Sequence, residues 1–193
     1  MLLVPGWKDG SRALRFITRR LISNGWPAAF VTPIGFHDAF GSNLDHAEEI
    51  ATAIDATLAR TGAASIDVVA HSMGGLALRQ YLRTRNANGD SHRVRRAIFL
   101  ATPFAGTWVA YLAAGRGARE MRPGTSFLVS LPPEAPPDVH CHTLHAHVDT
   151  NVVPASSTRL AGAVAHPPAA LTHRGLLRSD AAFRIILAAL LEV

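Results

Sequence analysis

The chain has 193 residues, of which 48% are hydrophobic and 17% are charged, and its formal net charge is +5. This length predicts a single compact domain over residues 1–193 and leaves too little chain for two comfortable ones. The positive charge comes from arginines with one exception, Lys8. No aromatic side chains interleave with them as a base-stacking surface requires, so we expect no nucleic-acid partner.

The cysteine count and the hydropathy pattern bear on the cellular compartment. Cys141 is the only cysteine, which excludes an intramolecular disulfide and fits a reducing environment. No apolar run approaches the roughly 18 residues that a membrane span needs, so we expect no stable membrane insertion. Residues 1–4 reach Pro5 and Gly6 too early for a secretory signal. We therefore expect a cytoplasmic protein, with an upstream segment and the oligomeric state left open.

Strands and helices alternate along the chain. The predicted strands lie at residues 1–4, 28–31, 66–70, 94–101, 139–146 and 160–165. The predicted helices run from Ser11 to about Asn24, from Asn43 to Gly62, from Gly74 to about Arg85, and onward from about Ser179. Such an alternation predicts an α/β fold with a mostly parallel sheet of about six strands and helices on both faces.

Residues 102–138 interrupt this alternation. They combine many glycines and prolines with large apolar side chains, namely Phe104, Trp108, Tyr111, Leu112, Phe127, Leu128 and Leu131. A connection of this length is usually a functional lid or a disordered stretch, and disorder favours fewer aromatic residues. We therefore predict a lid-like insertion, with Phe104 and Trp108 as candidate substrate contacts. Alternatively, the aromatic side chains close a small hydrophobic core under a long loop.

The strongest chemical signal lies at residues 68–75, which read Val-Val-Ala-His-Ser-Met-Gly-Gly. A buried strand, a turn with a central serine and a helix follow one another, as in a nucleophile elbow. Ala70 and Gly74 are the small residues that a sharp turn requires on either side of Ser72, although glycine is usual at the first position. Alternatively, the small residues serve only to allow tight packing after the strand. This alternative does not explain why a hydroxyl group stands at the turn itself. Ser72 is therefore predicted to be a nucleophile, and His71 to order the elbow.

The partners of Ser72 follow from the order of residues along the chain. In this architecture a serine nucleophile is followed by an acid and then by a histidine, each after a strand. The acids after the serine are Asp90, Glu120, Glu134, Asp138, Asp149, Asp180 and Glu192. Asp149 alone follows a predicted strand on the catalytic edge. Of the two later histidines, His173 lies just before the last helix and is preferred to His166, which precedes two prolines.

The predicted chemistry is attack of the serine on a carbonyl carbon. The histidine acts as the base, and the acid fixes the imidazole tautomer and stabilises its positive form. The resulting oxyanion needs two backbone N–H donors. Met73, directly after the nucleophile, supplies one of them. The loop after the first strand supplies the other, and because Pro5 has no N–H, Trp7 is preferred, with Gly6 as the alternative.

Several of these segments resemble the bacterial lipases and esterases of the α/β-hydrolase superfamily, particularly the minimal single-domain lipases. Residues 70–75 are similar to their nucleophile motif, and residues 149–154 and 173–177 to their acid and histidine loops. Residues 101–107 are similar to the turn by which many lipases enter the lid region. The resemblance extends over most of the chain, and only residues 108–137 lack a clear counterpart in the smallest members.

The resemblance implies an α/β-hydrolase fold and hydrolysis of a small-molecule apolar acyl ester through an acyl-enzyme, with no cofactor. It also implies that Trp7 and Met73 form the oxyanion hole, although Pro5 stands where the family usually has histidine. The same triad also serves on thioester, peptide and carbon–carbon bonds. A non-catalytic ligand-binding relative is a further alternative.

Histidines are concentrated in one predicted strand. They are His140, His142, His145 and His147, with Cys141 among them. Alternate residues of a strand share a face, which offers two imidazoles to a zinc ion. Because no further carboxylate or thiolate lies at a sensible spacing, we expect no metal site and interpret them as polar residues near the ends of a strand.

Overall fold

The computed structural model describes residues 1–87, 93–167 and 169–192. Its strands are β1 (Leu2–Val4), β2 (Thr32–Pro33), β3 (Ile66–His71), β4 (Val94–Leu100), β5 (His140–Leu144), β6 (Ala146–Val148), β7 (Val164–Ala165) and β8 (Ala169–Thr172). The main sheet has the order β2-β1-β3-β4-β5-β7, and its neighbouring strands pair in parallel. β6 and β8 form a second, two-stranded parallel sheet.

Helices cover both faces of the main sheet. They are α1 (Arg15–Ser23), α2 (Asn43–Thr61), α3 (Met73–Ala87), α4 (Arg116–Glu120), α5 (Ser126–Ser130) and α6 (Asp180–Leu191). Neighbouring strand residues point to opposite faces, so Val68 packs with α2 and α3, whereas Val69 packs with α1 and α6. This arrangement confirms the predicted sheet and its two helical layers. Among the described helices, none is both long and apolar enough to cross a bilayer.

Capping residues set the ends of the long helices. Ser42, rather than the predicted Asn43, caps α2, because its hydroxyl accepts a hydrogen bond from the Leu44 N–H at 3.2 Å. Gly62 ends that helix as predicted, with a φ of 68° that glycine adopts without strain. Ser179 caps α6 at the predicted position.

The predicted strand at residues 28–31 is wrong. Residues Ala28–Phe30 form a 3-10 helix, and only Thr32–Pro33 pair with β1. The Pro27 carbonyl accepts the Phe30 N–H at 2.8 Å, which closes a helical turn where the apolar pattern indicated a strand. The remaining short strand lies at the edge of the sheet, where its proline costs no hydrogen bond to the neighbouring strand.

The last third of the chain also departs from the prediction. The strand expected at residues 139–146 divides after Leu144 into β5 and β6, and the one expected at residues 160–165 is reduced to β7. β8 was not predicted, and it pairs with β6 outside the main sheet. This pairing directs the chain toward His173, which directly follows β8. Asp90, one of the acids that were rejected in favour of Asp149, lies outside the described residues.

Residues 102–138 fold over the start of α3. They contain a 3-10 helix followed by α4 and α5. Their buried apolar side chains pack against α3 in a third core, and these are Ala110, Ala118, Met121, Phe127, Leu128 and Leu131. The Glu120 carboxylate accepts hydrogen bonds from the Ser42 hydroxyl at 2.5 Å and the Asn43 N–H at 2.6 Å. The segment is therefore tied to the first turn of α2.

Candidate active site

Ser72 lies at a sharp turn between β3 and α3. Its φ of 52° is in the left-handed region, which residues other than glycine seldom adopt. The Ser72 N–H donates to the Leu100 carbonyl, at the carboxyl end of β4, over 2.8 Å. This hydrogen bond holds the turn, and α3 begins at the next residue, Met73. The chain therefore has the strand, turn and helix geometry predicted around the serine.

Glycines allow neighbouring segments to approach the serine closely. A Cβ added at Gly74 would lie 2.2 Å from the carbonyl oxygen of Pro5. A Cβ added at Gly6 would lie 3.0 Å from the Cβ of Ser72. The loop after β1 and the start of α3 are therefore in direct contact beside the nucleophile, and neither position has room for a side chain.

We expect Gly74→Ala to lower the free energy of unfolding by about 1–3 kcal/mol, because the backbone must move to admit a methyl group. Gly10→Ala is the matched control, since no atom lies within 4 Å of a Cβ added there. The control is expected to change the stability by less than about 0.5 kcal/mol. Urea unfolding followed by circular dichroism measures both, and equal effects would contradict the close packing.

His173 and Asp149 form a hydrogen-bonded pair, with His173 Nδ1 2.8 Å from Asp149 Oδ2. The other carboxylate oxygen accepts the N–H groups of Asn151 at 2.8 Å and Val152 at 2.9 Å. Burial alone would raise the pKa of Asp149, but these hydrogen bonds and the nearby imidazole hold it below its ordinary value. The carboxylate is therefore charged at neutral pH. His173 donates from Nδ1, which leaves its Nε2 as the proton acceptor.

The structure brings the three predicted residues to one place. Ser72 and His173 line the same cavity, called here the serine cavity, and Asp149 lies behind the imidazole with its side chain only 2% exposed. His166, the alternative base, lies elsewhere. Its ring stacks on that of His142, with 5.4 Å between centroids, next to the edge strand β7.

His71 supports the backbone of His173. The two rings lie 4.7 Å apart between centroids, and His71 Nε2 is 3.3 Å from the His173 carbonyl oxygen. A carbonyl only accepts, so the His71 nitrogen donates. Burial, with the nearby His173, lowers the pKa of His71 to about 3. A neutral His71 therefore holds the loop that carries His173, whereas the sequence predicted that it orders the elbow.

This buried imidazole predicts a loss of stability in acid. The unfolded chain binds a proton at His71 near its ordinary pKa of 6.5, whereas the folded chain does so only near pH 3. The contribution of His71 to the free energy of unfolding is therefore present above pH 6.5. It is lost as the pH falls toward 3, by at most about 1.4 kcal/mol per pH unit. Urea unfolding of the wild type and His71→Asn at several pH values checks this. If the free energy of unfolding of His71→Asn falls with pH as steeply as that of the wild type, the role of His71 in acid instability is contradicted.

The predicted oxyanion donors come from two different segments next to the serine. Met73 is the first residue of α3, and Trp7 lies in the turn after β1. Among the described residues, neither backbone N–H donates a hydrogen bond. The Trp7 indole N–H donates to the Ala114 carbonyl at 3.1 Å, which attaches this turn to the segment over α3. Both backbone N–H groups are thus unpaired, and Trp7 lines the serine cavity, whereas Met73 does not.

The walls of the serine cavity correct the prediction for substrate contacts. Neither Phe104 nor Trp108 lines it. Phe104 packs on Phe99 at 5.2 Å between ring centroids, and Trp108 stacks on Tyr111 and is 58% exposed. The apolar side of the cavity consists instead of Pro103, Val109, Ala110, Ala113, Met121 and Val152. The residues on either side of Trp108 therefore face the cavity, while its own ring faces outward.

Thr107 is a site residue that the sequence did not reveal. Its buried hydroxyl donates to the Asn151 carbonyl at 2.9 Å and accepts the Val153 N–H at 3.0 Å. Both partners belong to the loop that carries Asp149. A threonine in a long connection carries no signal for such a role, because its partners lie more than forty residues away along the chain.

We expect Thr107→Val to lower kcat about tenfold to hundredfold with little change in KM, because a small displacement of the acid loop misaligns the imidazole. Valine keeps the shape of threonine but loses these two hydrogen bonds and a third one, from the Val109 N–H at 3.3 Å. Thr57→Val, which changes a buried threonine of α2, is the control and is expected to keep full activity. Steady-state kinetics on a short acyl ester measure this. A kcat no lower than that of the control would contradict the positioning role.

The histidine-rich strand shows no metal centre within residues 1–87, 93–167 and 169–192. No group of three or more histidine, cysteine, aspartate or glutamate side chains there is placed to hold an ion. Cys141 is buried, and burial raises the pKa of its thiol to about 12. It is therefore a neutral thiol in the core.

Comparison with known proteins supports the architecture. Residues 41–127, just under half of the chain, match the lecithin:cholesterol acyltransferase family. Aspergillus fumigatus lipase B has a similar structure, with a TM-score of 0.77 and 19% identity over 96% of this chain. The chain spans about half the length of that lipase, 51%.

Two bacterial structures are similar over nearly their full lengths. The mature form of Bacillus licheniformis lipase BlEst2 has a TM-score of 0.80 and 17% identity, over 98% of this chain and 90% of the lipase. The lin2722 gene product of Listeria innocua has a TM-score of 0.74 and 16% identity, over 100% of this chain and 93% of that protein. These matches confirm the predicted fold class and the resemblance to lipases and esterases.

Proposed function

We propose, from the α/β-hydrolase fold of this chain, that it is a serine hydrolase that cleaves carboxylic esters through an acyl-enzyme. Ser72 is the nucleophile, His173 the general base and acid, and Asp149 the residue that orients and stabilises the imidazole. Trp7 and Met73 donate their backbone N–H groups to the oxyanion. Residues 102–138 form a lid-like cover over the apolar side of the cavity.

The observation that carries the proposal is the convergence of separate segments on one cavity. A strained serine at the end of β3 and a histidine after β8 line it together. The histidine is held 2.8 Å from a buried carboxylate that follows β6. These groups lie far apart along the chain, and packing of the sheet alone does not require a serine, a histidine and an acid in this relation. The two lipase structures of the same fold support ester hydrolysis in general.

The steps follow from the geometry. His173 Nε2 takes the hydroxyl proton of Ser72 as Oγ bonds to the ester carbonyl carbon. The oxyanion accepts the N–H groups of Trp7 and Met73, each donor being worth roughly 3 kcal/mol in such sites. The carbon–oxygen bond to the alcohol then breaks, and the alcohol leaves with the proton from His173. Water repeats the sequence on the acyl-serine, which releases the acid and restores the hydroxyl.

The chemistry of the cavity wall supports an apolar acyl group. Its apolar side is formed by aliphatic side chains of the covering segment, such as Val109, Ala113 and Met121, with no charge among them. An alkyl chain gains about 0.8 kcal/mol for each CH₂ group that it buries there. We therefore assign the acyl part of the substrate to this side.

A panel of p-nitrophenyl esters of increasing acyl length tests the function, with and without a lipid–water interface. We expect a burst of p-nitrophenol followed by steady turnover on the water-soluble esters. A jump in rate at the interface would make the enzyme a lipase, and its absence an esterase. Failure to cleave any ester in the panel would contradict the proposal.

A further inference from the structure

A second cavity opens next to the serine cavity, and its walls are strongly basic. It is called here the basic cavity and has a volume of about 250 Å³. Five of its lining side chains are cationic, namely Lys8, Arg12, Arg15, Arg174 and Arg178, and one, that of Asp9, is anionic. These cations are exposed at the cavity and outnumber its single acid, and a cleft lined mainly by one sign of charge concentrates counter-ions, so this cavity favours an anion.

The two cavities are adjacent and share a wall. Lys8, Asp9 and Arg174 line both of them. Arg174 directly follows His173, and Lys8 directly follows the Trp7 oxyanion donor. The basic cavity therefore lies directly beside the serine cavity, on the side of Lys8 and Arg174. The apolar side of the serine cavity is formed by a different segment, so the acyl part and the alcohol part meet walls of different chemistry.

The positive charges are only partly compensated within the protein. Arg174 forms an ion pair with Asp9. Among the described residues, the side chains of Arg12 and Arg178 form neither an ion pair within 4 Å nor a hydrogen bond. Burial raises the pKa of the Asp9 carboxyl above its ordinary value. The charges of Arg174, Lys8 and Arg178 act in the opposite direction, which shows that these cations lie near the carboxyl. Cations from two separate segments of the chain therefore face the same small volume, where one carboxylate does not balance them.

We propose that the basic cavity binds a phosphate group carried by the alcohol part of the ester substrate. Guanidinium groups present planar pairs of N–H donors that fit phosphate oxygens, and the available cations match its double negative charge. The proposal rests on the proposed ester hydrolysis and adds a substrate class to it. In the first step the acyl group stays on Ser72, and the phosphorylated alcohol leaves with the proton from His173 and exits from the basic side.

The test compares two soluble substrates that differ only in the phosphate, the monohexanoyl esters of glycerol and of glycerol phosphate. The measured quantity is the ratio of kcat/KM for the phosphorylated ester to kcat/KM for the neutral one. We expect a wild-type ratio of about ten or more, and a ratio near one in the double variant Arg12→Gln/Arg178→Gln. Inorganic phosphate should inhibit cleavage of the phosphorylated ester competitively.

The control is Arg19→Gln/Arg184→Gln, which removes the same net charge from exposed positions on α1 and α6 outside both cavities. It should keep the wild-type ratio. A wild-type ratio near one would overturn the proposal, and so would an equal fall of the ratio in both double variants. If inorganic phosphate changes turnover of the neutral ester while the ratio stays near one, phosphate is a free effector, and the substrate assignment is wrong.

Calorimetric titration of the protein with inorganic phosphate separates this proposal from the proposed function. If neither ester is cleaved, the ester-hydrolase assignment fails. An anion site would still be shown if Arg12→Gln/Arg178→Gln binds inorganic phosphate about tenfold more weakly than the control does. Binding of equal strength in the wild type and the double variant would overturn the anion site itself.

Discussion

Replacing Ser72 with alanine is expected to lower kcat for short acyl esters by about four to six orders of magnitude. Without Oγ no acyl-enzyme forms, and only the oxyanion donors and substrate binding remain to assist attack by water. The fold should be preserved, because alanine is small and the backbone hydrogen bond from the residue 72 N–H to Leu100 does not involve the side chain. Initial rates on p-nitrophenyl butyrate measure the loss.

Ser157→Ala is the matched control for this variant. Ser157 is buried but does not line the serine cavity. The control should keep wild-type kcat, and both variants should show the circular dichroism spectrum of the wild type. Activity of Ser72→Ala above about one per cent of the wild type would be incompatible with nucleophilic catalysis by this residue.

Replacing His173 with alanine is expected to have an effect of similar size, because it removes the proposed general base. The variant leaves Asp149 as a buried carboxylate without its main partner, so its unfolding free energy is measured beside kcat. His166→Ala is the control, since that ring stacks on His142 away from the serine cavity. The control should retain most of the wild-type activity. The reverse outcome, with His166→Ala inactive and His173→Ala active, would show that the base is assigned wrongly.

The elbow was predictable because its determinants are local. Ser72, the small residues around it and the helix that follows lie within a few positions of one another, and each constrains the same turn. Gly74 shows how strict that constraint is, since its missing side chain admits the Pro5 carbonyl. Asp149 and His173 were reached by chain order, because parallel strands bring their carboxyl ends to one edge.

Features that depend on distant contacts were not predictable. Thr107 acts through a loop more than forty residues later, and nothing in its neighbours indicates that contact. Phe104 and Trp108 were placed in the correct segment, but the direction of their rings depends on how the segment packs on α3. The basic cavity also depends on contacts between distant parts of the chain. Arg12 and Arg178 are isolated arginines in the sequence and become neighbours only because the chain folds.

The departures in secondary structure have identifiable physical causes, one local and one that depends on distant pairing. A proline at position 27 closes a 3-10 turn where Ala28–Phe30 were expected to extend. The pairing of β6 with β8 joins short segments that are separated by more than twenty residues. Apolar periodicity is weak over segments this short, so it does not reveal such a pairing.

Covalent labelling of the nucleophile tests the central claim most directly. The protein is incubated with a fluorophosphonate, digested, and the modified peptide is identified by mass spectrometry. We expect one adduct on Ser72, formed in parallel with the loss of esterase activity and absent from Ser72→Ala. Slow labelling of His173→Ala would agree with the role of the imidazole as the base. An adduct on another residue, or equal labelling of Ser72→Ala and the wild type, would contradict the assignment of Ser72 as the nucleophile.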